Sequence, residues 1–303
     1  MTDRLTPHSR PHFFKYLTYE GAISILRNIA IKWSSPLTFN DPFDILVKPN
    51  IGFTEEEFKR HSEQRILDEI NSENTPTHNE ELITKIRSAS SHFTEGDLKS
   101  MLKPRIDTLT EQVFSIFAEY QKQWLEFAKN IRVLCLSEVH DNLLMWAHYA
   151  ANHTGAVIQL KCLPDSDTAP TSRDIRVDYQ DAFPSVATPE EWTNEILNIK
   201  TLNRNEVFLR FMATKSTHWA YEKEWRCLDQ KRPTDNGDHE ICAIHPEEIE
   251  AIYFGCRMSE NNKKSITDYV CGKLSHVKVY EAQQHPEKYQ LVFREREMEG
   301  KGN

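Results

Sequence analysis

Apolar positions along the chain change period several times. In FFKYLTYEGAISILRNIAIKWSSP, residues 13–36, a short apolar run gives way to Ala22, Ile25, Leu26 and Ile29 at spacings of three and four, before a second short run. That pattern predicts strand, helix, strand, with Thr18 as the helix N-cap. From Thr54 to Asn130 strand signals vanish. Thr54 and Glu57 have capping-box spacing. Short helices are expected over 79–93 and 94–102. Pro104 is expected at the first position of a long helix. Its Ile106, Leu109, Val113, Ile116, Phe117, Tyr120, Trp124 and Phe127 recur at helical spacing over about seven turns.

Strand patterns return at 131–137 and 156–161, and more weakly at 175–180. They continue at 221–229, 239–244, 249–255, 276–282 and 289–295, with a helix over 259–272 among them. Between the first two strands lies a helix over 141–153, with Asp141 as its expected cap and Gly155 ending it. Residues 188–216 read as helical, opening with Pro189. The whole predicts an α+β fold. Residues 1–12 form a tail and 13–303 one domain, into which a helical block at 54–130 is inserted as a lid or subdomain.

Composition narrows the function. The 303 residues carry 37 basic and 46 acidic side chains, a net charge of -9, so no global basic field attracts nucleic acid. An RNA-facing surface would have to be local, with Arg204, Arg210 and Lys215 on the 189–215 segment as its strip. The six cysteines show no C-x-x-C spacing and read as reduced, mostly buried thiols of a cytoplasmic protein, with no zinc site. No run approaches 18 apolar residues, so no membrane span is expected.

Candidate chemistry concentrates in THWAYEKEWRCLD, residues 217–229. Glu222, Glu224 and Arg226 alternate, so on a strand they share one face. Trp219, Tyr221 and Trp225 imply partial burial, which raises a carboxylate pKa and suits acid/base work. The plainer reading is a solvated strand face with a surface ion pair. In MWAHYAANH, residues 145–153, His148 or Tyr149 would donate to a ligand, or the helix is simply core. In FNDPFD, residues 39–44, Asn40 or Asp41 would contact a ribose or amide, or the segment is a rigid turn. Lys15 and Tyr16 end the first strand.

The pieces KYLT (15–18), NDPFD (40–44), CLSEVHDNLLMWAHYAANHTGAVIQL (135–160) and KSTHWAYEKEWR (215–226), in that order, resemble the bacterial family catalogued as domain of unknown function 2971. The likeness runs from Phe13 to Gly255, less the helical block. The layout also resembles the ADP-ribosyltransferase fold, a split mixed sheet that holds NAD in a cleft. That resemblance implies a late (Gln/Glu)-x-Glu motif, which YEKEW fits: Glu224 stands for the catalytic glutamate and Glu222 for the one two residues earlier. Ser137 would match the middle strand. Lys15 and Tyr16 stand where the first strand of that fold carries His or Arg.

The resemblance implies an NAD-dependent ADP-ribosyltransferase, an intracellular toxin or phage-defence effector that modifies RNA or protein and is held by an antitoxin or chaperone. Glu224 would stabilise the oxocarbenium-like ribose, and Glu222 would serve as general base to the acceptor. Lys15 and Arg226 would meet pyrophosphate, while Tyr16, Tyr149 or Trp146 would stack on a ring. Two other classes stand beside it. A magnesium-dependent nuclease would use Asp41, Asp44, Glu222 and Glu224 as oxygen ligands. A non-enzymatic interaction module would use the aromatics as core and the helical block as its binding surface.

Overall fold

A computed structural model describes residues 10–72, 84, 87–88, 93–163, 174–233 and 237–297. The tail before residue 10 and most of the helix expected over 79–93 lie outside the described residues. Twelve strands are described: β1 (His12–Leu17), β2 (Ala30–Ser34), β3 (Ile131–Ser137), β4 (Ala156–Lys161), β5 (Ile175–Arg176), β6 (Asp178–Tyr179), β7 (Thr214–Lys215), β8 (Glu224–Gln230), β9 (His239–Ala243), β10 (Ile249–Phe254), β11 (Lys278–Gln284) and β12 (Leu291–Glu295). The longer helices are α1 (Tyr19–Asn28), α2 (Glu55–Asn71), α3 (Glu95–Lys129), α4 (Leu143–His148), α5 (Pro189–Ile196), α6 (Arg204–Met212) and α7 (Glu260–Lys273).

The chain divides into two compact units. One runs to Asp44, resumes over Ala128–Asp181 and continues from Lys215. The other comprises Ile45–Phe127 and Ala182–Thr214.

The first unit is built on an open mixed sheet in the order β12-β11-β10-β4-β1-β3-β2-β9, with β8 on β3 and β5 on β8. Only β10 and β11 run parallel among its named pairs. Long ladders join β1 to β4, from His12 opposite Lys161 to Leu17 opposite Ala156, and β3 to β8, from Ile131 opposite Gln230 to Ser137 opposite Glu224. By contrast, β1 meets β3 at the single pair Phe14 and Ser137, and β2 meets β3 at the single pair Ser34 and Val133. The sheet is thus nearly split along that edge of β3. Period-two alternation sends Phe13 of β1 to one face, with Leu26, Ile158, Phe254, Ile266 and Val270, and Phe14 and Tyr16 to the other, with Met145, Trp146 and Tyr253.

The helix caps follow local chemistry. Thr18 accepts from Gly21 N at α1, and Thr54 and Glu57 form the expected capping box at α2. Pro189 opens α5, where Thr188 and Glu191 form a second box. Three expectations are corrected. Pro104 does not begin a helix but lies inside α3. The buried Leu98, Ile106, Leu109, Val113 and Phe117 stay in helical phase across it, so packing outweighs the lost backbone bond. The segment 188–216 is two helices, α5 and α6, with Asn203 capping the second through Glu206 N.

The third correction concerns α4. Asn142, not Asp141, is its cap, accepting from Leu144 N and Met145 N. The helix stops at His148 because Ala151, Asn152 and His153 follow with φ of 47, 54 and 68°. This left-handed run delivers Gly155 against β1, where a Cβ would lie 2.1 Å from Leu17 O.

Candidate functional site

The segment 217–229 is not one strand. Ser216 Oγ accepts from His218 N and starts a 3₁₀ turn over Thr217–Glu222. Lys223 then takes φ 45°, and β8 begins only at Glu224. Glu224 and Arg226 share a strand face as expected from their spacing, whereas Glu222 arrives from the turn. The three still converge, because Lys215 stands among them. Its ammonium donates to Glu222 Oε2 at 2.6 Å and to Glu224 Oε2 at 3.0 Å, and lies 3.5 Å from Asp44 Oδ2. Arg226 donates through Nε to Glu224 Oε1 at 2.8 Å and through Nη2 to Asp44 Oδ2 at 2.6 Å. All five side chains are buried.

Environment drives the two glutamates apart. Burial pushes the Glu222 carboxyl up, and the Lys215 ammonium only partly offsets it. Burial would raise Glu224 too, but the Arg226 guanidinium and Lys215 ammonium outweigh it and hold Glu224 well below the usual carboxylate range. Tyr149 Oη donates to Glu222 Oε1 at 2.5 Å, and burial together with the Glu222 charge raises that phenol. Tyr179 Oη accepts from Glu224 N at 2.8 Å, fixing the start of β8.

A cleft of about 370 Å³ opens where β1, β2 and β3 diverge. It brings together Lys15, Tyr16, Asn40, Ser137, His148, Tyr149, Glu222 and Glu224, and with them Asp44 and Lys215, which the sequence suggests only for a metal site and an RNA-facing strip. Lys15 Nζ donates to Cys135 O at 2.8 Å on the split edge of β3. Tyr16 Oη donates to Val139 O, and burial pushes its pKa up. Ser137 Oγ donates to Glu222 O at 2.7 Å and so ties the 3₁₀ turn to β3. His148 is exposed at the cleft, its ring 6.5 Å from that of Tyr221. Asp44 is buried, and its Oδ1 has no hydrogen-bond partner among the described residues.

Three expected site residues lie elsewhere. Trp146 is fully enclosed and donates to His140 O at 2.7 Å, which gives it core packing rather than a ring to stack on. Asp41 accepts from Phe43 N at 2.9 Å and fixes the turn. Arg226 is enclosed between Glu224 and Asp44, over the Phe39 ring, so its surroundings give it carboxylates instead of pyrophosphate.

The basic strip imagined for RNA does not form as drawn. Lys215 is buried in the ion cluster, and Arg210 donates to the carbonyls of Ser185 and Val186. Of the four carboxylates of the nuclease reading, Asp44, Glu222 and Glu224 converge on the Lys215 ammonium, whereas Asp41 stays in its turn. Among the described residues, no group of three or more His, Cys, Asp or Glu side chains is arranged to hold a metal ion.

With this geometry in place, the comparisons with known proteins add one match. Residues 145–227 match a family described as "Protein of unknown function (DUF2971)". The matched segment begins inside α4, at Met145, contains Lys215 and the 3₁₀ turn, and ends just after Arg226. No curated protein and no solved structure matches the chain. Among the described residues, no helix is long and apolar enough to cross a membrane.

Proposed function

We propose that the chain is an NAD-dependent ADP-ribosyltransferase, an intracellular toxin or defence effector whose acceptor is RNA or protein and whose activity an antitoxin or chaperone restrains. One observation carries the reading: Glu222 and Glu224, two residues apart with pKa values driven in opposite directions, line one cleft beside the split edge of β3. Two carboxyls tuned apart are the usual arrangement for dividing proton transfer from charge stabilisation.

The cleft volume lies at the lower end of small-ligand sites, roughly 300–1,000 Å³, and accommodates the nicotinamide–ribose end of NAD more readily than the whole dinucleotide. Tyr16, Tyr149 and His148 offer ring surfaces, and Asn40 offers an amide. When bound, NAD supplies a nicotinamide–ribose bond whose cleavage leaves positive charge on the ribosyl carbon.

Glu224 stays ionised near neutral pH and faces that charge. Asp44, Glu222 and Glu224 set three carboxyls against the two cations Lys215 and Arg226. Fully ionised, the cluster carries one surplus negative charge, which favours a developing cation nearby. Glu222, with its raised pKa, takes the proton of the acceptor nucleophile.

A second reading, a non-enzymatic interaction module, has one observation in its favour. Every carboxylate oxygen of Glu222 and Glu224 already has a partner within the protein. Nicotinamide release from NAD separates the two readings. The transferase reading expects release by wild type and loss of at least a hundredfold in Glu224→Gln, the scale of one electrostatic stabiliser. The module reading expects none from either.

A further inference from the structure

We propose that the Tyr149 hydroxyl is the group that meets the acceptor nucleophile, and that it relays the nucleophile's proton to Glu222. The inference rests on the transferase reading and names the residue through which its general base works. Glu222 lines the cleft, but its side chain is only 4% exposed. Its Oε2 accepts from the Lys215 ammonium at 2.6 Å, and its Oε1 accepts from Tyr149 Oη at 2.5 Å. Its backbone is tied as well, since Ser137 Oγ donates to Glu222 O at 2.7 Å. The carboxylate is therefore held at both oxygens and at its own main chain, away from the place an acceptor would occupy. Tyr149 lines the same cleft and is only half-buried, so it stands between Glu222 and the open space.

The capacity of a phenol fixes the direction of the relay. A tyrosine hydroxyl has one proton to give and oxygen lone pairs that accept. The Tyr149 proton is already committed to Glu222. Its oxygen therefore meets a further partner as an acceptor, which is the role a nucleophile's O–H or N–H requires. Burial and the Glu222 charge raise the phenol, and the Lys215 ammonium and the Asn40 amide oppose them only in part. A free phenolate is disfavoured there, so the two proton transfers occur together.

The step balances. The nucleophile's proton moves to Tyr149 Oη as the Tyr149 proton moves to Glu222 Oε1. The nucleophile's electron pair forms the new bond to the ribosyl carbon, and the pair of the broken nicotinamide–ribose bond stays with the departing ring. Tyr149 ends as it began and Glu222 ends protonated. The acceptor class follows from the same balance. It is a hydroxyl or an amino or amide N–H, which has a proton to pass. A carboxylate or phosphate oxygen has none, and it would meet the surplus negative charge of the cluster around Lys215.

The test has two arms, both on the full-length chain. The first needs no NAD: glutamate carboxyls labelled with ¹³C are titrated, and Glu222→Gln assigns the Glu222 signal. Tyr149→Phe should move the Glu222 midpoint to higher pH and leave glutamate signals away from the cleft in place, which also shows that the variant folds. An unmoved midpoint would overturn the relay. The second arm follows single-turnover transfer of label from adenylate-labelled NAD to total bacterial protein and total RNA in mixtures of H₂O and D₂O. Wild type should show a curved dependence on deuterium fraction, the mark of two protons in motion. Tyr149→Phe should lose at least about a hundredfold, the scale of acid–base catalysis, and its residual rate should vary linearly. A linear wild-type dependence, or wild-type rates from Tyr149→Phe, would overturn the relay and leave the transferase reading standing. Absence of transfer by wild type would overturn both, and a Tyr149-dependent Glu222 midpoint would then mark the pair as a buried structural contact.

Discussion

The Lys215 ammonium lies 2.6 Å from Glu222 Oε2, with both side chains more than nine-tenths buried. The same ammonium holds Glu224 at 3.0 Å, so one cation sets the geometry of both carboxylates. That relationship makes the two glutamates chemically unequal, and the predictions follow from the inequality.

Glu224 is bound by two cations, whereas Glu222 adds the surplus charge. Glu224→Gln should cost about 3–5 kcal/mol, the range for breaking a buried ion pair. Glu222→Gln should stay within about 1 kcal/mol at pH 7, since Lys215 keeps Glu224 and Asp44 as partners. Urea unfolding of the two variants checks the order; equal losses would contradict it.

The pH dependence has opposite signs for the two groups. Glu224 has a depressed folded pKa, so its stabilisation is present above the unfolded carboxylate value of about 4.3 and is lost as pH falls through the folded one. Glu222 has a raised folded pKa, so its contribution is full below about 4.3 and is lost as pH rises through the folded value. Urea midpoints between pH 3 and 9 should therefore show a shallower acid limb in Glu224→Gln. Glu222→Gln should lose part of the decline on the neutral side.

Tyr149 lowers the Glu222 pKa through its hydroxyl. Tyr149→Phe should move the acid limb of the pH–rate profile to higher pH, because Glu222 then gives up its proton less readily. A purely structural role would lower the rate at every pH without moving the limb.

Gly155 permits the approach of the α4–β4 turn to Leu17 O, and Gly255 the matching approach to His153 O, each at 2.1 Å for an added Cβ. Gly155→Ala should destabilise by at least about 3 kcal/mol, in the tail of point-mutant effects, as read by thermal unfolding.

Much of the scaffold was legible in the sequence. Strands β3 and β4 coincide with the patterned runs IRVLCLS and AVIQLK, and the Thr54–Glu57 spacing marked a cap that forms. The alternation of Glu222, Glu224 and Arg226 pointed to a shared locality, but not to its centre. Lys215 opens the KSTHWAYEKEWR piece seven residues before Glu222, but nothing in that piece marks it as the cation between the carboxylates, and Asp44 is 182 residues from Arg226. Those contacts depend on the 3₁₀ turn and on tertiary pairing, which periodicity does not encode. Lys215 instead read as one more cation at the end of a helix. Arg226 and Trp146 were misplaced for a related reason, since residue type suggests what a side chain can bind but not whether the fold encloses it. The isolated phase of Leu98 and Ile106 across Pro104 was the available signal that α3 runs through its proline.

The central claim is that the unequal glutamates serve ADP-ribosyl transfer, and the most direct test is transfer of label from adenylate-labelled NAD. Wild type, Glu222→Gln and Glu224→Gln, each confirmed folded and free of an inhibitory partner, would be offered total bacterial protein and total RNA separately. The account predicts label in one fraction with wild type, and none with Glu224→Gln. Absence of label in both fractions with wild type, or equal labelling by Glu224→Gln, would contradict it.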